Sequence, residues 1–239
     1  MKERGMIFNG EMVRALLDGR KTQTRRIMKV QPESSEFGLR YIAESSLAKE
    51  VGMYFWSQSD ACGMKARSKP FACPYGKPGD RIWVRETWAI LGNEDGCCID
   101  WEEKLCKADE RSAARIYRAS CEQRPGNYGL WSIPDDADWK PHTKDYQYEG
   151  AWRPSIHMPR WASRITLEIT DVRVERLNSI SEEDAGKEGY PADPTPYGGE
   201  MDKWLWFRQL WDEIYPEQSF KHNPWVWVIK FKRVEGGAV

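Results

Sequence analysis

Apolar and polar positions first set a short amphipathic helix near the start of the chain. Met12, Val13, Leu16 and Leu17 form one stripe, with Asn9 placed to cap it and Gly19 where a left-handed terminating residue is wanted. From Thr22 to Met28 the pattern changes to alternation, which predicts a strand with Thr22, Thr24 and Arg26 on one face and Gln23, Arg25 and Ile27 on the other. Residues 31–78 are polar and broken by Pro and Gly, an excursion with one short strand near Met53–Trp56. After the turn signal Pro78–Gly79–Asp80 comes the clearest strand of the chain, Arg81 to Trp88. Its alternation sets Ile82, Val84, Glu86 and Trp88 on the core side and turns Arg81 and Arg85 away.

A second insertion covers about 90–150, with a helical piece expected near Glu102–Ala114 and a strand at Ala114–Arg118. The loop from Trp152 to Arg164 is held extended by two prolines. Ile165 to Leu177 reads as a long strand with a phase slip near Thr170–Asp171, the signature of a bulge. Ser181–Asp184 carries a helix N-terminal signature, with Asp184 in the reciprocal capping position and Gly189 near the stop. A helix is expected over Glu200–Ile214 with Trp204, Phe207, Trp211 and Ile214 buried, closed by Pro216, and a wholly apolar strand runs from Trp225 to Phe231. The tail from Glu235 should fray. No internal repeat is visible, and strands separated by short helices without regular alternation favour an α+β fold built on a small mixed barrel.

At 239 residues and formal net charge −1, the chain has no bulk affinity for polyanions, so any nucleic-acid contact must come from local patches. One such patch exists. Residues 13–29 hold six bases (Arg14, Arg20, Lys21, Arg25, Arg26, Lys29) against Asp18, whereas residues 93–149 carry thirteen acids and eight bases. No apolar run is long enough to span a bilayer and the first residues lack a signal-peptide core, so a cytoplasmic protein with reduced cysteines is expected. Its six cysteines contain no CxxC pair, and no metal or other cofactor is expected. Of the thirteen tryptophans most should fill the core, and a few are available to stack bases.

Three places carry candidate chemistry. The joint Gly19–Arg20–Lys21–Thr22–Gln23–Thr24–Arg25–Arg26 suits an anionic or nucleotide-like ligand, or is a helix cap followed by a solvated basic strand. Glu86, an acid on an apolar face, must be paired with a buried arginine or hold a proton. The loop with Arg160, Trp161 and Arg164 suits base stacking and phosphate contact, or contains a structural Trp–Arg stack; His157 there reads as a loop residue.

The joint, the strand Gly79–Asp80–Arg81–Ile82–Trp83–Val84–Arg85–Glu86 and the end Asn223–Pro224–Trp225–Val226–Trp227–Val228 together resemble the ASCH domain family, particularly its larger phage- and prophage-encoded members. The resemblance covers residues 5–30, 71–89 and about 153–234. It implies a single PUA-like β-barrel domain, residues 1–239, with insertions at about 31–78 and 90–150, and an association with RNA. Of the family signature Gly-x-Lys-x-x-Glu-x-Arg, Gly19, Lys21 and Arg26 match, while Thr24 stands at the Glu position. A bacterial branch that deacetylates N4-acetylcytidine also has Thr there, and works with Lys, Thr and a Glu from a later strand.

Carried over, the resemblance implies Lys21, Thr24 and Glu86 as catalytic residues of an amidohydrolase, with Glu86 the least direct match. Thr24 would attack or position water, and Lys21 would accept its proton, its charged form disfavoured by Arg20, Arg25 and Arg26. The alternative is a non-catalytic module of phage origin that binds RNA or single-stranded nucleic acid through Arg20, Arg25, Arg26, Arg160, Trp161 and Arg164.

Overall fold

The computed structural model describes residues 1–60, 62–91, 97–102, 104–106, 109–121, 152–192, 199 and 201–234. In chain order the principal elements are β1 (Glu3–Ile7), α1 (Gly10–Leu17), β2 (Gln23–Ile27), β3 (Gly38–Tyr41), β4 (Tyr54–Asp60), β5 (Gly63–Arg67), β6 (Arg81–Arg85), β7 (Trp88–Ile90), β8 (Arg115–Tyr117), α2 (Arg118–Cys121), β9 (Thr166–Arg176), α3 (Glu182–Lys187), α4 (Asp202–Ile214) and β10 (Trp225–Val234). The fold is α+β. Its chain divides into two compact units of interleaved segments. One comprises Met1–Lys2, Thr22–Asp80 and Ile169–Phe231; the other comprises Glu3–Lys21, Arg81–Glu168 and the stretch from Lys232.

In the unit that begins at Glu3, β1 runs parallel to β6 (Gly5 opposite Trp83), and β6 pairs antiparallel with the first residues of β9 (Trp83 opposite Thr166). Alternation on β6 is clean, Ile82 and Val84 being wholly buried between half-buried Arg81, Trp83 and Arg85. The predicted strand over 81–88 breaks at Glu86–Thr87. Trp88 leaves β6 and starts β7, which pairs with β8 (Trp88 opposite Tyr117) in a separate two-stranded sheet. Side-chain parity survives the break, because Glu86 and Trp88 are both enclosed. Helix α1 is capped as expected: Asn9 accepts from the Met12 N–H at 2.8 Å, and Gly19 takes φ +74°, a conformation Gly adopts without Cβ strain.

The other unit is organised on β10, which lies between β9 and β2 and faces β2 antiparallel, with Ile229 opposite Thr24. Val226 and Val228 pack under α3 and α4 with Leu177, Phe207, Trp211 and Phe220. On the other side of the strand Trp227 meets Tyr54 at 5.3 Å and Phe71 at 6.2 Å, so β10 is covered on both faces and reads as a continuous apolar run. The polar excursion over 31–78 is more ordered than its composition implied: β3, β4 and β5 form an antiparallel sheet in that stretch. Its anchor is Trp56, which packs on Trp225 at 5.0 Å and donates to the Val30 carbonyl at 3.1 Å.

Two expectations fail. The described residues between Glu102 and Ala114 form turns and an isolated bridge instead of a helix, because the Asp100 carboxylate accepts the Glu102 and Lys104 N–H groups in a local turn. Ile214, at the end of α4, is 39% exposed, the helix burying Phe207, Leu210 and Trp211 instead. Most of the second insertion, and the fraying tail, lie outside the described residues.

Candidate functional site

The end of α1 places Lys21. The Lys21 N–H donates to the Ala15 carbonyl at 3.0 Å, continuing the helix cap, and the residue is 2% exposed. Beside it Arg20 pairs with Asp18 at 2.9 Å at the surface, and Arg14 donates to the Ala119 carbonyl of α2 at 3.3 Å. A buried lysine in a basic stretch is unusual, since desolvating an ammonium is expensive.

In the same unit, Glu86 sits at the point where β6 ends. Arg164 donates to both of its oxygens, Nε to Oε1 and Nη2 to Oε2, each at 3.0 Å. The third guanidinium nitrogen donates to Ser120 Oγ at 2.9 Å, and the guanidinium carbon lies 4.1 Å from the centre of the Tyr117 ring. Tyr117 is fixed in turn by its hydroxyl, which donates to the Ala162 carbonyl at 2.8 Å. Burial pushes the Glu86 carboxyl above the usual glutamate range, and Arg164 pulls against that rise without cancelling it. Of the two alternatives open at the sequence level, the pairing of Glu86 with an arginine is the one the geometry shows. Tyr117 and Ser120 were not among the sequence candidates. Only the strand signal at Ala114–Arg118 pointed to that region.

Around that centre, the remaining loop candidates are anchored by neighbours. Arg160 donates to Glu3 at 2.9 Å and to Thr166 Oγ1 at 3.2 Å. Trp161 meets Trp88 edge-on at 5.5 Å, with the Arg115 guanidinium 5.7 Å from its ring centre. The loop is bound to β6 through Arg85, whose guanidinium donates to the Ser155 carbonyl at 3.1 Å and also to that of Ile156. His157 is exposed.

β2, in the unit built on β10, carries Thr24 and Arg25. Thr24 is 3% exposed, in register with Ile229. The Arg25 side chain is fully enclosed. It donates to Glu188 at 2.9 Å, Glu175 at 3.0 Å and Asp184 at 3.3 Å, while Arg173 reaches Glu175 at 2.5 Å and Asp184 at 2.6 Å. Burial raises the Asp184 pKa, but Arg25 and Arg173 outweigh it and hold the carboxyl below its usual value. Arg25 thus spends its charge inward. Arg26, on the opposite face, donates to the Tyr215 hydroxyl at 3.4 Å. Tyr215 also lines a groove of about 500 Å³ with Ile27, Met28, Lys29, Pro216 and Gln218.

Among the described residues, no group of three or more His, Cys, Asp or Glu side chains could hold a metal ion, and no helix is long and apolar enough to cross a membrane. No family model, curated protein or solved structure matches the chain.

Proposed function

We propose that the chain is an ASCH-type protein with a PUA-like barrel, directed at nucleosides or nucleic acid, and that it hydrolyses the exocyclic amide of a modified base of the N4-acetylcytidine kind. What supports the reading is the match of Gly19, Lys21 and Arg26 to the signature Gly-x-Lys-x-x-Glu-x-Arg, with Thr24 at its Glu position as in the deacetylating branch. Lys21, Thr24 and Glu86 are each at most 3% exposed. In this reading Thr24 orients the attacking water, or attacks the acetyl carbonyl itself to form an ester that water then cleaves to acetate; Lys21 accepts the nucleophile's proton and passes it to the base amine as the C–N bond breaks. Glu86, with both oxygens held by Arg164, serves as an orienting acid.

The test is kinetic. Purified protein should release acetate from N4-acetylcytidine, and Lys21→Ala and Thr24→Ala should each abolish release while retaining the parental far-ultraviolet circular dichroism. Absence of turnover by the wild type at high enzyme concentration overturns the hydrolase reading for that substrate.

A second reading, non-catalytic binding of RNA or single-stranded nucleic acid, is favoured by the groove beside Tyr215. Its apolar residues and a phenol suit a stacked base, with Lys29 available to a phosphate and Glu217 opposing it. Arg26, behind Tyr215, adds positive charge. Binding of this kind weakens with salt, and Lys29→Ala with Arg26→Ala should flatten the logarithmic slope by about 0.7 for each phosphate that is no longer neutralised. Salt-independent binding, or none, excludes it.

A further inference from the structure

Three of the six cysteines fall at positions 97, 98 and 106, and two of these stand opposite each other. Ile99 and Leu105 form an antiparallel bridge. On one side of it the Cys106 N–H donates to the Cys98 carbonyl at 2.9 Å; on the other the Asp100 N–H donates to the Lys104 carbonyl at 3.0 Å. This register sets Cys98 opposite Cys106, joined by one of the two hydrogen bonds of a ladder pair. In such a pair the Cα atoms lie about 5.5 Å apart and the side chains leave the same face of the ladder. A disulfide spans Cα separations of about 4.4–6.8 Å. Both residues are half-buried, and neither is in a disulfide. Burial first, then Asp100, Cys98 and Asp109, raise the Cys106 thiol above its ordinary value, and its Sγ donates to the Lys104 carbonyl at 3.7 Å. Asp100 pins the turn between them by accepting the Glu102 N–H at 2.8 Å and the Lys104 N–H at 3.0 Å, so the two strands are held together before any bond forms.

We propose that Cys98 and Cys106 are a dithiol–disulfide modification site, closed by peroxide and opened by small thiols. One thiolate attacks a peroxide oxygen, giving a sulfenic acid and hydroxide. The second thiolate then displaces the sulfenic hydroxyl as the S–S bond forms. The sum is two thiols and one hydrogen peroxide giving one disulfide and two waters; the sulfurs lose two electrons and the peroxide gains them. Hydrogen-bonded ladder positions hold Cβ atoms farther apart than an unstrained disulfide prefers, so the bond is of the readily reduced kind.

The location gives the modification a consequence. The Ala114 N–H donates to the Ile99 carbonyl at 2.8 Å, and Ala114 leads directly into β8, which carries Tyr117 beneath Arg164. Closing the hairpin stiffens the strand on which the Arg164–Glu86 pair rests. The modification site itself does not depend on the hydrolase reading.

The experiment treats the full chain with hydrogen peroxide. Intact mass should fall by about 2 Da, titratable thiols should drop from six to four, and non-reducing peptide mapping should link Cys98 to Cys106. Dithiothreitol should reverse all three changes. Cys98→Ser should lose the mass change and leave Cys106 open to a sulfenic-acid trap. The proposal is overturned if the wild-type map shows no Cys98–Cys106 peptide, if the linkage is only between molecules, or if Cys98→Ser forms the same intramolecular bond. Acetate release is scored separately on reduced protein, so either result stands without the other.

Discussion

Replacing Arg164 by Met keeps the side-chain stem and removes the guanidinium that occupies both oxygens of Glu86. The Glu86 side chain is 3% exposed and that of Arg164 23%, so solvent compensates little when the partner is lost. Breaking a buried pair from one side costs about 3–5 kcal/mol at neutral pH, because it leaves an uncompensated charge. For a chain of this length that is a fall of roughly 6–20 °C in Tm. The pH dependence identifies the cause. Burial already lifts the folded-state pKa of Glu86 above its ordinary 4.5. Its contribution to stability is therefore greatest below the unfolded-state value and declines as pH rises through the folded-state one. Without Arg164 the folded value rises further, so the deficit of the variant should be smaller at pH 4.5 than at pH 7. Urea unfolding followed by tryptophan fluorescence at both pH values measures this. Adding Glu86→Leu to Arg164→Met should restore most of the stability, since an apolar pair of similar volume needs no charge compensation. A loss below about 1 kcal/mol that is equal at both pH values would refute the claim that Glu86 is a buried charge dependent on Arg164.

Arg25→Met should also cost about 3–5 kcal/mol at neutral pH by leaving Glu175, Asp184 and Glu188 without their shared guanidinium. Because Asp184 has a depressed pKa, the stability it contributes is present above its unfolded value and lost as pH falls through the folded one. The Arg25→Met deficit should therefore narrow in acid, and urea midpoints at pH 7 and pH 3 check it. Gly5→Ala would put a Cβ 2.7 Å from Trp83 Cζ2 on the neighbouring strand, and should lower stability by about 1–3 kcal/mol, read as a shift in Tm. Asn9→Ala removes the side-chain cap of α1 and should cost about 1 kcal/mol, measured by urea unfolding.

Local periodicity and capping chemistry carried much of the fold. Asn9, Gly19 and Ser181 act where their residue types demand, Ser181 accepting from the Asp184 N–H at 3.1 Å. β2, β6, β8, β9 and β10 fall within or close to the stretches where alternation or apolar runs placed strands. What was not legible depends on long-range partners. The sheet over 31–78 is held by aromatic packing of Tyr54, Trp56 and Phe71 on Trp225 and Trp227, over 150 residues away, and nothing in a polar local sequence announces that. The break at Glu86 was hidden because parity is unchanged across it while the pairing partner switches from β9 to β8. At the candidate site, alternation alone marked Glu86 as an acid on the core face, and Arg164 was a candidate for another reason. That the two meet, over Tyr117 and beside Ser120, is tertiary information. The basic stretch misled in one respect. Its charge count implied a ligand-facing patch, yet the Arg25 guanidinium faces Glu175, Asp184 and Glu188, acids more than 140 positions later in the chain.

The nucleoside-directed chemistry is tested most directly by a proton NMR time course of N4-acetylcytidine with a stoichiometric amount of the protein. Free acetate and cytidine appearing together in equal amounts, and not appearing with Lys21→Ala, is the expected result. An unchanged N4-acetylcytidine spectrum in the presence of folded wild-type protein would contradict it.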